Sequence, residues 1–175
     1  IVRRALLERK SLRGICRMGG VSLTWVLQFA VQTWSEAPDH LGVNPDLLKI
    51  TDPKKLQVTG LQMDEMWSFV GDKKAKAWIW VVYEPEYKQV IAYHIGDRSA
   101  ESLRALWYKI PYRFRQYCFI ETDHWEAYRQ IVPEEAHVVG KAYTFYIESF
   151  FSSVRSRVSR LVRRSKSFSK IWEND

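Results

Sequence analysis

In the run Val58-Thr-Gly-Leu-Gln-Met-Asp64-Glu-Met-Trp-Ser-Phe69, the side chains alternate between two faces. Leu61, Met63, Glu65 and Trp67 point one way and Gln62, Asp64 and Met66 the other, which is the period of a β-strand. An aspartate inside an apolar strand is unusual, because a buried carboxylate must find a partner. Asp64 is therefore the first candidate for chemistry. Further along, Gly71 to Lys74 predict a turn, and Lys76 to Tyr83 is an apolar run suited to a strand covered on both faces. Glu84 to Lys88, with Pro85, turns the chain back, and Gln89 to Gly96 reads as a third strand, so the three form an antiparallel meander. Ser99 can cap a helix that runs through Ile110, with Leu103, Leu106 and Trp107 inward. Gln116 to Thr122 reads as a fourth strand ending at Asp123, followed by a helical piece from Trp125 to Ile131 and a short strand from His137 to Val139.

Ala142 to Lys170 is a basic amphipathic run that reads as a long last helix. Ile147, Phe150, Phe151, Val154, Val158, Leu161 and Val162 fall at steps of three and four and make its inward stripe. Glu148 is the only carboxylate between Glu135 and Glu173, among neighbours whose charges are all basic. The plain reading is a solvated face on which Glu148 meets Ser152 or Arg155. The sharper one follows from the order of elements. Three strands, helix, strand, helix, short strand, helix is the order of the ribonuclease-H-like fold, an α/β class with a mixed sheet and flanking helices. That fold collects carboxylates from its first strand, the end of its fourth strand and a late helix, here Asp64, Asp123 and Glu148. Three such acids would hold two hard cations through oxygen, one to activate a water or 3′ hydroxyl and one to stabilise the leaving oxygen. Glu65, Asp72, Asp97, Glu121 and Glu126 fit surface or turn roles, Glu121 being the closest competitor. His124 and His137 could assist, although a lone histidine more often packs or hydrogen-bonds.

The 175 residues carry a net charge of +7 and are 46% hydrophobic, enough for one substantial core and a small appendage. Basic residues cluster near both ends: Arg3, Arg4, Arg9, Lys10, Arg13 and Arg17 at one, Arg155, Arg157, Arg160, Arg163, Arg164 and Lys166 at the other. Such patches favour a phosphate backbone, and the absence of a long apolar run weakens the membrane option. Cys16 and Cys118 lack metal-ligand spacing and fit a reducing compartment. Ile1 to Glu8 reads as a first helix; Ser11 caps a second that ends at Gly19 and Gly20, and Ser22 caps a third. Val21, Trp25, Val26, Phe29 and Ala30 would face back onto the second helix, which makes a helix-turn-helix unit. Ser22, Leu23, Thr24 and Gln28 would then face the major groove, with Arg13 and Arg17 near phosphates. Any helical hairpin would share the pattern. The division expected is a helix-turn-helix unit over 1–36, a linker over 37–57 rich in proline and turn formers, and a catalytic domain over 58–175. A start at Ile1 without methionine reads as a fragment.

Asp64-Glu-Met-Trp-Ser-Phe-Val-Gly71, Thr122-Asp-His-Trp-Glu-Ala-Tyr128, and Ile147-Glu148 followed by Arg157-Val-Ser-Arg-Leu-Val-Arg-Arg164 and Ser167-Phe-Ser-Lys170 resemble the transposases of the insertion-sequence-one family. The resemblance spans nearly the whole chain. It implies an aspartate-aspartate-glutamate transposase that binds element ends and cuts and joins DNA with Mg2+ or Mn2+, with Asp64, Asp123 and Glu148 as the triad. It also implies a homo-oligomer assembled on terminal inverted repeats and target DNA, in the bacterial cytoplasm with the nucleoid. Two features depart from the family pattern. Ser149, Phe150 and Phe151 stand where Arg, an aromatic or His, and Asn are usual, and the N-terminal zinc-binding segment is absent. On that basis metal binding should survive while strand transfer is weak, and Ser149→Arg with Phe151→Asn should raise it. The rival readings are a ribonuclease-H-like nuclease or resolvase without strand transfer, and a catalytically decayed DNA-binding protein.

Overall fold

The structure is a computed structural model that describes residues 1–8, 10–36, 60–69, 74–158 and 161. Its strands are β1 Gly60–Phe69, β2 Lys76–Glu84, β3 Gln89–Gly96, β4 Phe119–Thr122 and β5 His137–Val139. They form one five-stranded sheet in the order β3-β2-β1-β4-β5. β1 pairs antiparallel with β2, and β2 with β3; β1 with β4 and β4 with β5 are parallel. The meander and the adjacency of the first and fourth strands are as the sequence predicts. This mixed sheet with flanking helices is compatible with a ribonuclease-H-like fold.

Side-chain alternation sends the two faces of β1 into two cores. Leu61 and Met63 join Trp80 and Val82 of β2 under α4 (Ala100–Lys109) and α6 (Glu126–Ile131), whose Leu103, Leu106 and Tyr128 are fully buried. Met66, Val81 and Tyr83 face the other way, onto Ile147 and Phe151 of the last helix, Phe145–Arg157. Each such large apolar side chain contributes about 1.5–3 kcal/mol by leaving water. Ser99 caps α4 by accepting from the Ser102 N–H.

The first helix spans Val2–Leu6 rather than Ile1 to Glu8 and the last opens at Phe145 rather than Ala142, and two further boundaries differ more consequentially from the sequence reading. Tyr112–Tyr117 is a helix, α5, so Gln116 and Tyr117 are not strand residues and β4 begins only at Phe119. Pro111 occupies the N-cap; Phe114, one turn in, is buried, and Tyr117 packs half-buried against the same core, so two inward rings hold the short helix. The last helix, α7, ends at Arg157 rather than running to Lys170, because Val158 is extended with φ −97° and ψ 103°. Its second half carries Ser152, Ser153 and Ser156, and the Ser156 hydroxyl donates back to the Ser153 carbonyl at 2.7 Å, a local alternative that weakens helix continuation. Val162 lies outside the described residues.

The N-terminal helices are α1 Val2–Leu6, α2 Leu12–Gly19 and α3 Leu23–Ser35. Ser11 and Ser22 cap α2 and α3 as expected, accepting from Gly14 N and Trp25 N at 3.1 Å each. α2 and α3 bend by 105° at their junction around a small core of Ala5, Ile15 and Val26. Trp25 does not join that core; it is 43% exposed and stacks on Phe29 at 5.0 Å, since Val26 and Ala30 already fill the inward face of α3. Gly20 stands at φ 64°, a left-handed position where an added Cβ meets nothing but carries a backbone cost. Gly20→Ala should therefore lower stability by about 1 kcal/mol, read as a shifted denaturant midpoint at unchanged slope. The expected linker at 37–57 lies outside the described residues, as do Asp72 and most of the turn before Lys74. Among the described residues no single helix is long and apolar enough to cross a membrane.

Candidate active site

Asp64 lies in the middle of β1, Asp123 directly after β4, and Glu148 in the first turn of α7. The parallel pairing of β1 and β4 aligns Gln62 with Glu121, so the chain segments two residues further on emerge side by side. The three acids line one pocket of about 450 Å³, together with Arg98, His124, Trp125, Lys141 and Thr144. Among the described residues, no three His, Cys, Asp or Glu side chains are drawn together tightly enough to close on one ion. The acids thus share a pocket whose ligand set is open.

Besides the packing of Ile147 and Phe151, Gln62 ties the start of α7 to the sheet. This amide is 3% exposed; its Oε1 accepts the Ile147 N–H at 2.8 Å and its Nε2 donates to Glu121 at 3.1 Å. A backbone donor at the start of the helix is thereby satisfied from the sheet, and Glu148 is the next residue. Thr144, buried at the helix start, reaches the Glu148 carboxylate at 3.3 Å. Glu148 is exposed and has this threonine as its hydrogen-bond partner rather than Ser152. Asp123 accepts the Trp125 N–H at 2.9 Å, and Asp64 accepts the N–H of Glu65 at 2.8 Å. Burial, and behind it the charges of Glu65, Asp123 and Glu148, pushes the Asp64 carboxyl up to about 7, against its one backbone hydrogen bond. Carboxylates crowded in this way suit a cation.

Three of the competing acids, Glu65, Glu121 and Asp97, have partners of their own. Glu65, on the opposite face of β1, takes the Tyr128 hydroxyl at 2.8 Å and a salt bridge from Arg98 at 2.7 Å. Glu121 receives Gln62, Asp97 accepts the hydroxyls of Ser99 and Ser102, and Glu126 is exposed in the first turn of α6. His124 lines the acidic pocket. His137 lines a separate one with Arg129, Val132, Glu134 and Val139, and meets the Thr122 hydroxyl at 2.7 Å. Arg13, Arg17, Ser22, Thr24 and Gln28 are all exposed on α2 and α3, although the Ser22 oxygen serves the cap. Arg157 is exposed and Arg155 half-buried; Arg160, Arg163, Arg164 and Lys166 lie outside the described residues.

Arg98 and Lys141 were not candidates in the sequence, yet both line the acidic pocket. A signal for Arg98 was available: Glu65 shares its strand face with Leu61 and Met63, and a carboxylate there requires a cationic or hydroxyl partner.

The model of a family described as IS1 transposase matches residues 57–174, which takes in the whole sheet and all three acids. Among curated proteins, Insertion element iso-IS1n protein InsB of Shigella dysenteriae is 34% identical over 113 residues, 64% of this chain and 84% of that protein. Insertion element IS1 4 protein InsB of Escherichia coli strain K12 is likewise 34% identical over 113 residues, 64% of this chain and 66% of its own length. Since the family match spans well over half of the residues and carries the sheet and the pocket together, this chain belongs to the IS1 transposase family.

Proposed function

We propose that this chain binds the ends of an insertion element and carries out metal-dependent cleavage and strand transfer of DNA. The observation that carries the reading is the single pocket shared by Asp64, Asp123 and Glu148, on three separate elements, in a chain of this family. Their donors are all carboxylate oxygens, the chemistry that Mg2+ or Mn2+ prefers. Asp64, Asp123 and Glu148 would hold the ions, which when bound activate the attacking water or 3′ hydroxyl and stabilise the leaving oxygen. The protein's own part is positional: Gln62 fixes the start of α7, Trp125 N–H orients Asp123, and Lys141 adds positive charge at the pocket. The 105° junction of α2 and α3 falls in the range of helix-turn-helix units. Exposed Thr24, Gln28 and Gln32 on α3 offer uncharged hydrogen-bonding groups for base edges, with Arg13 and Arg17 available to phosphates. A homo-oligomer would bring two element ends together.

The test is joining of a labelled, pre-cut element end into plasmid DNA by the 175-residue chain in Mn2+, with Asp123→Asn as the blank. Joined product that disappears in the blank supports the reading. Cleavage of uncut ends without joining would make the protein a nuclease, and binding of ends with neither would make it a DNA-binding protein alone. Salt supplies a further prediction. Lys and Arg release counterions from phosphate, so neutralising Arg155 together with Arg163 should flatten the slope of log affinity against log salt by about 0.7–0.9 for each phosphate that the protein no longer neutralises; an unchanged slope would place the DNA path elsewhere.

A further inference from the structure

Arg98 is more firmly held than any other charged group at the acidic pocket. Its Nε donates to Glu65 Oε1 at 2.8 Å, its Nη2 forms a salt bridge with the same oxygen at 2.7 Å, and Tyr128 donates to the other oxygen of that carboxylate. Its guanidinium lies over the rings of Trp78 and Trp125, at 5.0 and 5.1 Å from their centroids. The backbone beside it is fixed as well: Trp80 Nε1 donates to the Asp97 carbonyl at 2.9 Å, and the Asp97 carboxylate accepts from Ser99 and Ser102 at 2.5 and 2.6 Å. Nevertheless 42% of the Arg98 side chain remains exposed, and it shares the pocket lining with Asp64 and Asp123.

As a counter-ion for Glu65 alone, Arg98 would need only the edge formed by Nε and Nη2. In a planar guanidinium that leaves the donors of Nη1 outside the pair. A pocket lined by three acids repels a DNA strand, and among the described residues the Lys and Arg that line it are Arg98 and Lys141. Of the two, Arg98 has the planar fork that suits phosphate, and its ring and carboxylate contacts have already removed most of its side-chain freedom. We infer that Arg98, clamped between Glu65 and two tryptophans, is a preorganised ligand for a phosphate of the DNA strand entering the acidic pocket. The inference rests on the reading of that pocket as a DNA site.

The experiment measures binding of a fluorescein-labelled, 30-base-pair DNA duplex with a pre-cut 3′ end to the 175-residue chain, by anisotropy in Ca2+ across a KCl series. Arg98→Gln alone would strand the Glu65 charge, so the informative variant is Glu65→Gln with Arg98→Gln, in which the Tyr128 contact survives. Its salt slope should fall by about 0.7–0.9, one phosphate contact, and its affinity by about tenfold. Glu65→Gln alone, which leaves Arg98 in place, should keep the unmodified slope. A double variant that unfolds cooperatively and binds with unchanged slope and affinity would reduce Arg98 to the counter-ion of Glu65. If the double variant does not fold, Arg98→Lys decides: several-fold weaker binding at a retained slope supports a forked contact, and unchanged affinity overturns it. Failure of the unmodified chain to bind the duplex at any salt would sink the DNA reading of the pocket, and this inference with it.

Discussion

Asp64→Asn is expected to abolish strand joining and, in the same protein without metal, to raise the melting temperature. Folding buries this carboxylate beside other acids, so its pKa rises from 3.8 to about 7. The sign follows from proton binding. Between these values the folded chain holds a proton that the unfolded chain has released, so the group costs stability increasingly as pH rises from about 4 through 7. A gap of this size is on the order of 4 kcal/mol at most. Asparagine must still be desolvated, so about 2 kcal/mol should be recovered, or roughly 4–8 °C for a chain of this length. The gain should be full at pH 8.5 and absent near pH 4, which thermal unfolding in EDTA would measure. In the joining assay the same change should cost about a thousandfold or more if Asp64 holds a cation as proposed. Equal melting temperatures at pH 8.5 would mean that the crowding at Asp64 is relieved by something other than a bound ion.

Phe151→Asn is expected to cost about 3–5 kcal/mol, while Ser149→Arg should stay within about 0.5 kcal/mol. Phe151 is 3% exposed among Met66, Val81, Tyr83 and Ile147, and its ring tilts against Phe150, which in turn stacks on Tyr83. An amide there would have to give up water inside an apolar cluster. The paired substitution suggested by the family pattern therefore combines a change the surface tolerates with one the core does not. Ser149 is exposed beside Glu148, so an arginine can be accommodated without repacking. Ser149→Arg alone should raise joining of pre-cut ends, and Phe151→Asn, alone or added to it, should lower the melting temperature by roughly 10 °C. A Phe151→Asn chain that melts with the unmodified protein would contradict the packing of α7 on the sheet.

Much of this architecture was legible because its signals are local. The alternation around Asp64 sorted β1 onto its two faces, the serines at 11, 22 and 99 marked their helix starts, and the element order placed Asp123 next to β1. α5 was not legible: six residues with three aromatics and two arginines suit strand or helix equally, and it is Phe114 and Tyr117, three apart, that pack on the core and decide it. The end of α7 was hidden because its apolar spacing continues in the sequence past the point where Val158 leaves the helix. Arg98 was hidden for a different reason. In sequence it is one charge in a turn, and its role becomes visible only when folding brings Glu65, 33 positions earlier, and Trp125 against it.

Gln62 ties together two events that a helix lying on a sheet could otherwise undergo separately. Its amide links the first turn of α7 to the middle of the sheet, so releasing the Ile147 N–H requires the helix to part from β1. Amide exchange with deuterium at Ile147 should then proceed only as fast as the β1 amides around Met63 exchange, the two behaving as one cooperative unit. A chain wired in this way has little freedom to shift the backbone at the start of α7 by small local fluctuations. The backbone that carries Glu148 should then leave its place only when the start of α7 parts from β1, while the exposed side chain keeps its own rotamer freedom.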